Sequence, residues 1–302
     1  MEQQIHLLVL QFQNRKYYRP LPGTIERLIY LKHKKMQRRN FIKNASLASG
    51  MMIISPLLAN EKNSDENDFP LMDLHVHLTN DYTIDRMMEI AKSRNVKFGI
   101  VEHPAGWAIK DNTDLKRYID KLRKYPVYIG LQPTELGWSK RFSPELLSQI
   151  DYVLMDPQRV PMGNGETLSI WQFDTYVEDT DEFMKRYMAY SMEVLNNEPI
   201  TIFGWPLFLP VCIARDYYTL WTDERMQQII SAAKKRNIAI EINDMSHTPH
   251  DKFILMAKAA GLKFTFGSDS RNQNAGRLAY CKTVAKKCNL KKEDFYVPGQ
   301  KS

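Results

Sequence analysis

Between residues 70 and 290 the chain alternates seven times between a short apolar run and a longer helix-like stretch, and few folds accept that pattern. The runs cover 71–76, 98–101, 127–131, 152–155, 200–203, 238–242 and 264–266. The stretches between and after them cover 84–94, 113–124, 143–150, 181–196, 222–236, 249–260 and 274–288. Continuous apolar runs separated by helices read as parallel strands buried on both faces. Start and stop signals support the division. Ser143-Pro144-Glu145 puts Pro at a first helical position, Thr222-Asp223-Glu224 puts acids in a first turn, and Gly261 follows a helix as a C-cap does. An open doubly wound sheet is disfavoured, because no glycine-rich phosphate loop follows the first run. The expected fold is α/β, a distorted (β/α)7 TIM-like barrel. A barrel carries its functional groups on the C-terminal rim of its strands. The longest irregular piece, 157–180, is predicted to be a functional or lid-like loop.

The strand ends carry the chemistry. In Asp73-Leu74-His75-Val76-His77 the two histidines are two residues apart on a strand, so both project from one face. Neutral imidazole suits zinc, iron or manganese. Strand two ends in Glu102-His103, Glu135 lies just past strand three, and strand four ends at Asp156. Strand five runs into Gly204-Trp205-Pro206, strand six carries Glu241, Asn243 and Asp244, and strand seven ends in Gly267-Ser268-Asp269-Ser270-Arg271. A closed barrel delivers these ends to one pocket. Taken singly each has a plain alternative: His103 as a loop residue, Glu135 as a solvated charge, Asp269 as a helix N-cap. Asp73 shares the predicted face of His75 and is read either as its orienting partner or as the close of the strand. His247 and His250 are read as surface loop residues or as replacement ligands.

At this point the order and spacing of the pieces resemble the polymerase-and-histidinol-phosphatase (PHP) metal-dependent hydrolases. The resemblance spans about residues 70–290 and rests on Asp73–His77, Val101-Glu102-His103, Gly130 with Glu135, Glu241-Ile242-Asn243 and Gly267–Ser270. It implies a seven-stranded barrel with up to three metals. His75, His77, Glu135 and Asp269 match the ligands of one; Asp156 stands near a position for a second, and His103 is kept for a third. Two positions depart from the pattern. Trp205 replaces a histidine in Gly-Trp-Pro, and Arg271 stands where the family has another; the 80–83 region also lacks a family histidine. One site is therefore read as intact and two as damaged.

The implied cofactor is one or two divalent ions per chain, zinc, manganese or iron, and the implied reaction is hydrolysis of a small-molecule phosphate ester. Glu102, His103 and Arg271 form the candidate catalytic set, with Glu102 as proton relay and the fork of Arg271 suited to phosphate or carboxylate. Trp205, Trp138 and Arg271 are the candidate substrate contacts, since Trp107, Trp138, Trp171 and Trp205 all follow strand ends. Two competing classes are a catalytically inactive barrel that binds a ligand or partner, and a urease-type amidohydrolase. The last requires histidines after the middle strands, and none occurs between His103 and His247.

Charge separates the N-terminal region from the rest. The net charge is +7, yet residues 1–59 hold ten Lys/Arg against Glu2 and Glu26, which leaves 32 basic and 33 acidic residues beyond them. A nearly neutral body offers no electrostatic footprint for nucleic acid. Gln37-Arg38-Arg39-Asn40-Phe41-Ile42-Lys43 resembles a twin-arginine export signal, followed by an uncharged stretch from 44 to 60 that is too short and polar for a stable membrane anchor. The expected organisation is a mis-called extension over 1–35, a signal over 36–60, a polar linker over 61–69 and the hydrolase-like barrel over 70–302. Its expected partner is export machinery, and its expected location the periplasm. Cys212, Cys281 and Cys288 lack metal spacing and are read as buried free thiols.

Overall fold

The computed structural model describes residues 69–163 and 165–299. The expectations for residues 1–68, the signal and linker among them, lie outside the described residues. Seven parallel strands form one sheet: β1 (Met72–Val76), β2 (Lys97–Glu102), β3 (Tyr128–Leu131), β4 (Tyr152–Met155), β7 (Ile202–Phe203), β8 (Ala239–Asn243) and β9 (Phe264–Gly267), paired in that order. The last strand returns to the first through a parallel bridge between Val76 and Ser270. His77 N–H donates to Ser270 O at 3.0 Å, and Ser270 N–H to His75 O at 3.3 Å. The sheet is thus a nearly closed (β/α)7 barrel.

Among the described residues, eight α-helices surround or cap it: α1 (Ile84–Arg94), α2 (Asn112–Leu122), α3 (Pro144–Leu147), α4 (Thr180–Asn197), α5 (Tyr217–Leu220), α6 (Asp223–Lys235), α7 (Asp251–Ala259) and α8 (Ala279–Lys287). Local chemistry sets their ends. Ser143 accepts from Leu146 N–H with Pro144 at the first position, and Thr222 accepts from Arg225 N–H. Gly261, left-handed at φ 78°, follows α7. The last helix starts later than the sequence pattern suggests, at Ala279, so Asp269 is not its N-cap. Among the described residues no helix is long and apolar enough to cross a membrane.

Two layers of apolar packing hold the barrel. Outward strand residues such as Ile100, Ile129, Ile240 and Ile242 pack against the helices. Inside, Met72, Leu74, Val101, Tyr152, Leu154, Ile202 and Ala239 form a separate plug. Tyr152 crosses the lumen and donates to Leu74 O at 2.7 Å; a Cβ at Gly99 or Gly130 would come within 2.4 Å of that ring. The plug fills the lower lumen and leaves the strand ends free for polar groups.

The 157–180 segment is more ordered than an irregular loop. It holds an antiparallel hairpin, β5 (Arg159–Gly163) and β6 (Glu166–Ser169), whose bend uses Gly163 at φ 88° and Gly165 at φ 86°. Cys281 and Cys288 are buried and free, whereas Cys212 is exposed.

Candidate metal centre

The pairing of β1 with β2 shifts register between Asp73 and Val76. Such a shift breaks strict alternation along a strand. Asp73 consequently leaves the histidine face and accepts N–H bonds from Ser268 at 2.9 Å and Gly276 at 2.8 Å, fixing the segment after β9. Burial pushes its carboxyl up to about 6. Asp73 therefore orients a loop and not an imidazole.

His75 and His77 do face one point. Their Nε2 atoms each lie 3.4 Å from Asp269 Oδ1, close enough for an ion pair and too long for a good hydrogen bond. Both Nε2 atoms are buried without a hydrogen-bond partner. Buried polar atoms are nearly always satisfied, so two orphaned nitrogens aimed at one carboxylate oxygen call for a third party. Two imidazoles and a carboxylate are a donor set that zinc, manganese and iron accept. Asp269 holds a left-handed backbone at φ 46°, which a non-glycine residue adopts at a cost.

Glu241 completes the arrangement. Its Oε1 lies 2.7 Å from His75 Nδ1, and its Oε2 accepts the Trp205 N–H at 2.7 Å. A carboxylate on Nδ1 fixes the tautomer that turns the Nε2 lone pair towards a metal. This role was not read from the sequence. The available signal was a carboxylate in the middle of the fully buried strand Ala-Ile-Glu-Ile-Asn, where an unpartnered charge would be costly.

A second group adjoins the first. Ligand atoms of His77, Glu102 and His103 lie within 4.8 Å of one another, as do those of His75, His77 and Asp269. The His77 and His103 rings stack at 5.2 Å, and Trp107 lies on His103 at 4.7 Å. His103 Nδ1 is 2.9 Å from Gln132 O, and Glu102 Oε1 accepts the His103 N–H at 2.8 Å. Gln132 also donates to Asp156 Oδ2 at 2.7 Å, while Asp156 Oδ1 is buried without a partner. Gln132 is thus a second supporting residue that the sequence did not single out.

Electrostatics separate the residues. Burial opposes a charge on His75, but Asp269 and Glu241 outweigh it and raise the imidazole to about 9. Burial lowers His77 to about 3 and His103 to about 4. It raises Asp156 to about 7 and also raises Glu102. Against burial, Arg271 and His75 hold the Asp269 carboxyl well below its usual range. Arg271 Nη1 bonds Asp269 Oδ1 at 2.6 Å, and its side chain is 46% exposed.

Other expected site residues fall elsewhere. Glu135 does not join the histidines: it is 56% exposed and pairs with Arg141 at 2.9 Å. Arg141 also bonds Pro104 O, so this pair ties the loop after β2 to the loop after β3. Trp138 is 2% exposed and packs against Phe142 in the helix-facing core, so it offers no face to a ligand. Trp205 is buried against Phe208 at 4.4 Å and meets the site through its backbone. His247 stacks on Tyr280, and His250 meets Tyr217 and Tyr218 edge-on; neither belongs to the two groups.

No protein-family model matches the chain, and no curated protein matches it either.

Proposed function

We infer that the barrel is a metal-dependent hydrolase of the PHP type, acting on a small-molecule phosphate ester. The observation that carries this reading is the pair of buried, unpartnered Nε2 atoms of His75 and His77 facing Asp269. His75, His77 and Asp269 would hold a divalent cation, with His103, Glu102 and Asp156 beside them. When bound, such a cation polarises the scissile ester and makes water more acidic.

The chain's own groups supply the rest. Glu241 holds His75 in place. Arg271 spends Nη1 on Asp269 and is half exposed, which leaves a guanidinium able to recognise a phosphate oxygen by charge-assisted hydrogen bonds. Glu102, raised by burial, accepts a proton more readily than a solvated carboxylate at the same pH. Trp107, 67% exposed above His103, gives the entrance an apolar wall.

One observation favours a second reading, a barrel that binds without turnover. Glu135 lies away from the centre, and Asp269 is already tied to Arg271. Elemental analysis of protein purified without added metal, beside turnover of generic phosphoesters, separates the two. Bound metal with hydrolysis supports the enzyme; bound metal without hydrolysis of any ester supports the binding barrel.

Export through the twin-arginine route is part of the same reading and rests on Arg38-Arg39 followed by the uncharged 44–60 stretch. Replacing both arginines by lysine is expected to retain the protein in the cytoplasm; unchanged fractionation would sink the export proposal.

A further inference from the structure

The two ligand groups share His77, and its ring stacks on that of His103, so the groups are adjacent. Paired cations 3.5–4 Å apart are a common use of such a layout. Arg271 stands against it here. Its Nη1 lies 2.6 Å from Asp269 Oδ1 and 3.3 Å from Asp269 O, and that Oδ1 is the atom facing both imidazoles. That same oxygen lies 3.4 Å from Nε2 of His77, the residue the two groups share, so the guanidinium stands beside the second group as well. Arg keeps its proton at any ordinary pH and offers no lone pair, so it behaves as a fixed cation.

Charge counting gives the consequence. Asp269 and Glu241 contact the ring of His75, Glu102 accepts from the His103 backbone, and Asp156 lies beside them with one buried, unpartnered oxygen. One divalent ion and one guanidinium leave these four carboxylates one positive charge short of balance. A second divalent ion would turn that shortfall into an excess of positive charge beside a fixed guanidinium at low dielectric, where like charges repel strongly. We propose that Arg271 is a resident cation standing in for a second metal ion, and that it holds this centre to one divalent ion per chain. The inference rests on the metal-centre reading above.

The test uses the full chain, stripped with chelator and equilibrated with buffered free zinc, with zinc per chain read by mass spectrometry. Wild type is expected to hold one zinc, and Arg271→Ala two. Arg271→Lys keeps a positive charge and is expected to hold one. Adding His103→Ala to Arg271→Ala is expected to return the count to one. Should Arg271→Ala fail to fold by circular dichroism, Arg271→Met, which keeps an apolar stem, carries the same expectation. Two zinc ions on wild type, or one on the folded Ala or Met variant, overturn the proposal while leaving the metal centre standing. No zinc on wild type overturns both.

Discussion

Glu241 on β8 reaches His75 on β1 at 2.7 Å, across the intervening strand β9. It does so over Gly267, where a Cβ would lie 1.9 Å from Glu241 Oε1 and 2.8 Å from His75 Cβ. The glycine is needed for space: its φ is not in the left-handed region. One missing side chain thus lets a carboxylate orient the imidazole whose other nitrogen faces Asp269.

Gly267→Ala is therefore expected to push the pair apart. Overpacking a buried site costs about 1–3 kcal/mol, so the urea midpoint should fall and metal content with it. A variant as stable and as metal-rich as wild type would mean the strand shifts freely, against the close packing described.

Glu241→Gln keeps the shape and removes the charge. Loss of such a supporting carboxylate costs about 10–100-fold in metal affinity. Competition with a chromophoric chelator measures it, and an unchanged constant would remove Glu241 from the site.

Glu135→Ala and Asp269→Ala separate two carboxylates that look alike in sequence. Asp269→Ala should abolish most metal binding. Glu135→Ala should leave metal content intact and cost under about 1 kcal/mol, as expected for an exposed ion pair. Metal loss in Glu135→Ala would put that residue back among the ligands.

The pH dependence follows from His75. In metal-free protein its pKa is raised from 6.5 to about 9, so its stabilising contribution is complete below 6.5 and is lost as pH rises through 9. The full shift corresponds to about 3 kcal/mol. Asp73, raised to about 6, is largely ionised by pH 7, but Asp156, raised to about 7, is still half protonated there and adds to the fall up to about pH 8, so it is the fall from pH 8 to 9 that reports His75. Urea denaturation of stripped protein should show stability decreasing from pH 8 to 9, with a much smaller fall over that range in His75→Ala. Zinc affinity should rise over the same range, because zinc must displace that proton. A flat stability profile together with pH-independent zinc binding would contradict the assignment.

The sequence by itself determined the barrel and its working end. Alternating apolar runs and helical stretches admit little else, and two-residue periodicity put His75 and His77 on one face because that depends only on neighbours in the chain. The same periodicity failed for Asp73, since a register shift is set by the partner strand. Which carboxylates join the histidines was decided by the tertiary structure. Glu135 and Glu241 are the same residue type, but Arg141 draws Glu135 outward while the gap at Gly267 admits Glu241 inward. Likewise Trp138 and Trp107 follow strand ends alike, and only three-dimensional packing sent one into the core and left the other over His103. Periodicity and spacing describe contacts along a chain; the reach of a side chain across a barrel depends on what its non-sequential neighbours leave empty.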